Sequence, residues 1–211
     1  MQDFIDHLQL QLQKPLPGRP AEYSLSFEDT KARSIIPDNA KLAGVLVLFY
    51  PKGKDWHLVL IERTSRYESD RHKGQISFPG GRHEEDDRSM FETALREAEE
   101  EVGVKPEKVE ILGSLSDLYI PVSNFHVFPK VAFAREAPVF IPQPSEVESI
   151  LEVPFHVFQQ PNALQRMSLP MSNGFVLPNV PHFKIYNKIV WGATLMMLGE
   201  LLAVVGDHKV I

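Results

Sequence analysis

Three glutamates, Glu97, Glu100 and Glu101, stand at spacing i, i+3, i+4 in a stretch that reads Leu95-Arg-Glu-Ala-Glu-Glu-Glu-Val-Gly-Val104. On a helix they gather within an arc of about 100°. That arc lies roughly opposite, though shifted to one side of, a stripe of Phe91, Ala94, Leu95, Ala98 and Val102, which must face a core. Arg96 falls in a third sector, where it is expected to pair with Glu92 and Glu99 and leave the three glutamates without a cation. Like charges at this spacing cost a helix about 0.2–0.5 kcal/mol each, and anions near a helix C-terminus also oppose the macrodipole. The helix by itself is consistent with two readings. One is a solvated acidic face. The other is an all-oxygen site for a divalent cation such as Mg²⁺, which takes carboxylates together with substrate phosphate.

Such a helix needs elements to hold it. A helix is predicted from about Ser89 to Glu101, with Gly103 as its C-terminal stop. Before it, the short strand Gln-Ile-Ser-Phe closes in Pro79-Gly80-Gly81, where the absence of side chains allows a tight turn and close backbone approach. A main-chain carbonyl there is positioned to join the carboxylates. Residues 42–51 and 56–63 read as a hairpin-like pair of strands. The segments 109–120, 125–134 and 148–155 read as further strands, and 175–192 as strands joined by an Asn-Lys turn. A terminal helix is predicted from about Trp191 to Val204, with Trp191 and the Met196-Met197 pair assigned to its core contacts. Mixed strands with two substantial helices indicate one α+β or α/β domain. Residues 1–35, an amphipathic helix followed by Lys-Pro-Leu-Pro-Gly-Arg-Pro, form an N-terminal appendage, and 36–211 the main domain.

Composition limits the chemistry. In 211 residues, 43% are hydrophobic and 24% charged, as in an ordinary globular protein. A net charge of -6 argues against general nucleic-acid binding, so an anionic ligand needs a local cationic patch or a metal. The absence of cysteine excludes disulfides, thiolate metal sites and cysteine nucleophiles, and suits a reducing cytoplasm. The start of the chain lacks the basic and apolar regions of a secretory signal. The most apolar tract, near the C-terminus, is broken by Glu200 and too short to span a bilayer. His126, His156 and His182, each among apolar neighbours, are assigned structural roles.

The segment Gly81 to Val104 resembles the signature of the Nudix hydrolases, G-x5-E-x7-R-E-U-x-E-E-x-G-U, with U aliphatic. Arg96-Glu97-Ala98-Glu99-Glu100-Glu101-Val102-Gly103-Val104 fits its second half without a gap, and Gly81 supplies the leading glycine. Two departures stand out: Gly81 to Arg96 is one residue longer than the pattern, and Asp87 replaces its first glutamate. Both are similar to the coenzyme A-cleaving branch. Gly74 to Gly81, Gly-Gln-Ile-Ser-Phe-Pro-Gly-Gly, also fits that branch's upstream pattern, and Arg63 fits its start loosely. Asp70 stands where that pattern has a second arginine, and Arg63 to Gly74 is two residues too long. The resemblance covers about residues 40–204.

The resemblance implies an α/β/α sandwich around a mixed β-sheet and a hydrolase for a diphosphate joined to another group, most simply coenzyme A or acyl-coenzyme A. Pyrophosphatase action on ADP-ribose or a dinucleotide is the alternative, and a Nudix-fold binding module without catalysis is a third reading. The implied cofactor is Mg²⁺ or Mn²⁺, held by Glu97, Glu100, Glu101 and the Gly81 carbonyl. Glu97, or Glu146 on a later loop, is the implied general base, and Arg96 orients the carboxylates. Arg63, Arg66, Arg71, His72 and Lys73 supply a cationic patch for an anionic nucleotide, and Phe78 is counted with the substrate-binding residues. A cytoplasmic monomer or homodimer that binds a small nucleotide, and neither nucleic acid nor membrane, is expected.

Overall fold

The computed structural model describes residues 2–20, 23, 35–64, 74–170 and 174–206. Arg66, Arg71, His72 and Lys73 lie outside the described residues. So does much of the 1–35 segment beyond its opening helix.

The chain opens with α1 (Gln2–Leu12) and continues with β1 (Lys41–Lys52), β2 (Asp55–Arg63), β3 (Ile76–Ser77) and β4 (Gly80–Arg82). Helix α2 (Met90–Val102) leads into β5 (Val109–Ser114), β6 (Leu118–Ile120), β7 (Phe125–Ala134) and β8 (Val147–Pro154). The last third holds β9 (Leu164–Pro170), β10 (Val176–Ile185), β11 (Lys188–Val190) and helix α3 (Gly192–Val205). Strands β1 to β8 form one eight-stranded sheet, with β1 central between β2 and β7. The β1–β7 pair is parallel and the other pairs are antiparallel, so the sheet is mixed.

Alternation along β1 builds the layers. Leu46, Leu48 and Tyr50 face Ala94, Ala98 and Val102 of α2, in one buried cluster. Val47 and Phe49 face the other way, into a cluster shared with α1 and α3. The result is a helix–sheet–helix sandwich. A separate three-stranded sheet, in the order β11-β10-β9, packs Phe183, Ile185 and Val190 into the second cluster. Lys188 pins it to the main sheet through Glu62 at 2.6 Å.

Helix α1 belongs to that second cluster: Phe4, Ile5 and Leu8 are buried, and Phe4 packs edge-on against Phe49, with ring centroids 5.3 Å apart. The β10–β11 turn is Tyr186-Asn187, one residue earlier than the expected Asn-Lys, because Ile185 pairs with Lys188. Among the described residues, no helix is long and apolar enough to cross a membrane.

Candidate active site

Helix α2 is fixed at both ends by its own sequence. The Ser89 hydroxyl accepts a hydrogen bond from the Glu92 N–H, and Gly103 takes the left-handed conformation (φ 74°) that closes the last turn. Its approach to the sheet depends on Gly44, where a Cβ would come within 2.7 Å of the Met90 carbonyl oxygen. Strand β4 runs beside the same part of β1, with Gly81 opposite Gly44. Any side chain at Gly81 would collide with the Glu97 carboxylate, 2.3 Å from a Cβ placed there. The double glycine is therefore the surface on which the acidic helix face rests.

The expected ion pairs of Arg96 are not those observed. Arg96 grips Asp87 with two bonds, Nε to Oδ1 and Nη2 to Oδ2, each 3.0 Å. Its Nη1 donates to Glu97 at 3.0 Å and to Glu100 at 3.3 Å, and its Nη2 donates to the Arg82 carbonyl at 2.9 Å. Glu99 pairs instead with Lys105 at 2.7 Å, and Glu92 accepts from the Arg88 N–H. The loop before α2 folds back and presents Asp87, a stronger two-point partner than either glutamate on the helix. Asp87 also accepts from the Glu84 N–H and the Thr93 hydroxyl. The Arg96 bonds, with help from these two, hold the Asp87 carboxyl well below the usual carboxylate range.

Nor are the three glutamates without cations. Glu101 is buried, with Oε1 3.0 Å from Arg63 Nη1 and Oε2 2.8 Å from the Gly80 N–H. Burial nevertheless pushes its carboxyl up to about 7, outweighing Arg63 and Gly80, and repulsion from Glu97 and Glu146 adds to the rise. Burial likewise raises Glu97 against the pull of Arg96, with Glu100 and Glu146 contributing. Only Glu100 is largely in solvent, with its side chain 57% exposed. Glu146 comes from far along the chain, and main-chain bonds from Ile141 to Val102 and from Gln143 to Glu101 bind its loop to the end of α2. A bond from the Thr64 N–H to the Glu146 carbonyl ties the same loop to the end of β2.

A cavity of 560 Å³ opens beside these groups and brings together Arg63, Phe78, Gly81, Glu97 and Glu146 from the expected set. Its far wall is apolar, built from Ile120, Phe125, Trp191 and Met197. Trp191 and Met197, assigned above to the core alone, thus also face the cavity, because the terminal helix begins at its rim. Arg82, outside the expected set, also lines the cavity; nothing in a lone arginine after two glycines marks it. Glu100 and Glu101 do not line it.

Among the described residues, no three histidine or acidic side chains are gathered into a ready metal cage. The donors fit a hard divalent ion all the same. They are oxygens only, they repel one another, and Mg²⁺ needs only one or two carboxylates when phosphate completes its shell.

A family model of the NUDIX domain matches residues 40–170. Proteins described as uncharacterized Nudix hydrolase NudL, from Yersinia pestis (strain Pestoides F) and Yersinia pseudotuberculosis serotype O:1b, are 32% identical over 202 residues. The match spans 95% of this chain and 92% of theirs. Among solved structures, the M. smegmatis Nudix hydrolase RenU is similar at TM-score 0.47 and 17% identity, over 59% of this chain and 81% of its own. The NUDIX domain of Shewanella oneidensis NrtR, solved with ADP ribose, is similar at TM-score 0.45 and 24% identity, over 67% and 87%. The chain belongs to the Nudix family, as a hydrolase acting on the pyrophosphate bond of a nucleoside diphosphate derivative.

Proposed function

We propose that this enzyme cleaves coenzyme A or acyl-coenzyme A at its diphosphate, giving 3′,5′-ADP and (acyl-)4′-phosphopantetheine. The observation that carries this reading is a cavity in which Glu97 and Glu146 share the lining with an apolar wall of Ile120, Phe125, Trp191 and Met197. A diphosphate attached to a long, weakly polar arm matches both parts. The Gly74–Gly81 pattern and the extra residue before Arg96 support the same branch, and Phe78 of that pattern is buried on the cavity wall.

Glu97, Glu100, Glu101 and the Gly81 carbonyl would hold Mg²⁺ or Mn²⁺. When bound, the ion neutralises phosphate oxygens and lowers the pKa of attacking water. Arg96 holds Glu97 and Glu100 from one side and so sets the direction in which their free oxygens act. Glu97 takes the water's proton at a carboxylate oxygen, a role its burial favours by raising its proton affinity. Glu146, at the same cavity, is the second candidate for that proton. Arg63 reaches the cavity while bonded to Glu101, and its part is to hold that carboxylate; the segment with Arg66, Arg71, His72 and Lys73 is proposed to meet the substrate's further phosphate.

Asp70 and the longer Arg63–Gly74 spacing favour ADP-ribose or a dinucleotide as the second reading. Incubation with Mg²⁺ or Mn²⁺ and a panel of coenzyme A, acetyl-coenzyme A, ADP-ribose and NADH separates the two. Release of 3′,5′-ADP and 4′-phosphopantetheine supports the first, and AMP from ADP-ribose alone overturns it.

A further inference from the structure

We propose that Arg82 is a substrate-positioning residue whose guanidinium binds a phosphate oxygen of the diphosphate, on the side of the cavity away from Glu97. This inference rests on the reading of the site as a diphosphatase.

A cavity lined by Glu97 and Glu146 repels an anionic substrate unless cations face it. The described arginines around it differ in what they already hold. Arg63 is bonded to Glu101, and Arg96 is shared among Asp87, Glu97 and Glu100. Arg82 is exposed, lines the cavity, and has no acceptor for its guanidinium among the described residues.

Its backbone, in contrast, is firmly placed. Arg82 lies opposite Ala43 of β1, itself on the cavity wall, and its carbonyl accepts from Arg96 Nη2 at 2.9 Å. The guanidinium that holds Glu97 therefore also fixes the strand from which Arg82 projects. Strand alternation sends the Arg82 side chain to the face opposite the one on which a Gly81 side chain would strike Glu97. Glu97 and a free guanidinium thus border one cavity from two sides. Such a division suits a diphosphate, whose oxygens point to both sides and can be met on one of them by a forked donor.

The test compares wild type, Arg82→Ala and Arg82→Lys in steady-state hydrolysis with Mg²⁺ of coenzyme A, or of ADP-ribose or NADH where wild type leaves coenzyme A intact, together with calorimetric titration of ADP in the same buffer. The inference predicts that R82A raises KM at least 10-fold, changes kcat less than about threefold and leaves the melting temperature unmoved. R82K should recover part of the lost KM, because a point charge replaces a fork. Active wild type with unchanged KM in R82A overturns the inference and leaves the diphosphatase reading standing. If wild type cleaves no diphosphate, that reading fails, and the ADP titration decides. Binding lost in R82A then upholds an Arg82 phosphate site, whereas binding absent from wild type or unchanged in R82A overturns it.

Discussion

Arg63 at the end of β2 and Glu101 near the end of α2 are bonded at 3.0 Å, and the carboxylate they share with the Gly80 N–H is 1% exposed. One buried glutamate thus joins the strand, the double glycine and the acidic helix. Arg63→Ala leaves that charge with a single main-chain donor. A loss of about 3 kcal/mol is expected, at the low end for a broken buried pair because Arg63 is itself partly solvated. Urea denaturation at pH 8 measures it, and a loss under ~0.5 kcal/mol would contradict this account of the pair.

Asp87 and Arg96 make stability sensitive to acid. The Asp87 carboxyl is depressed below its ordinary 3.8, so its contribution is fully present above that pH and is lost as pH falls toward the folded-state value. Asp87→Asn should cost about 1.5–3 kcal/mol at pH 6 and flatten the fall in stability between pH 4 and 2. A variant whose pH profile parallels the wild type would show that the pair is not linked to folding.

Gly81 and Gly44 separate activity from stability. At Gly81 a methyl group meets the Glu97 carboxylate, and at Gly44 it meets helix backbone. Gly81→Ala should therefore lower kcat by more than about tenfold, a barrier increase of about 1.4 kcal/mol, while denaturation changes little. Gly44→Ala should push α2 off the sheet and lower the melting temperature before any kinetic effect is considered. The reverse ordering in paired melting and kinetic measurements would refute the packing described here.

Phe4 tests whether the N-terminal helix is part of the fold. It is 3% exposed among Phe49, Trp56 and Phe155, so Phe4→Ala should cost about 3–5 kcal/mol. A midpoint in urea shifted by less than a tenth would mean that α1 is dispensable.

Much of this arrangement is legible in sequence where the interactions are local. Ser89, Gly103 and the Ala94–Ala98–Val102 stripe define α2 because caps and periodicity act within a few residues. The main partner of Arg96 is not legible, because a helical wheel ranks only neighbours on the helix and Asp87 arrives from the preceding loop, whereas Glu100 stands at i+4 and lies within the wheel's reach. Glu101's burial is hidden for a related reason. Its place on the helix borders the apolar stripe, and only the Arg63 and Gly80 bonds make burial tolerable. Arg82 carries no local signal at all, since its significance comes from what Arg63 and Arg96 already hold.

The role of the carboxylates is tested most directly by the rate at which 3′,5′-ADP forms from coenzyme A with Mg²⁺, in wild type and in Glu97→Gln and Glu100→Gln. The account predicts product from wild type, none after chelation, and a fall of roughly 100-fold or more in each variant with folding unchanged. Wild-type rates in both glutamine variants would contradict it.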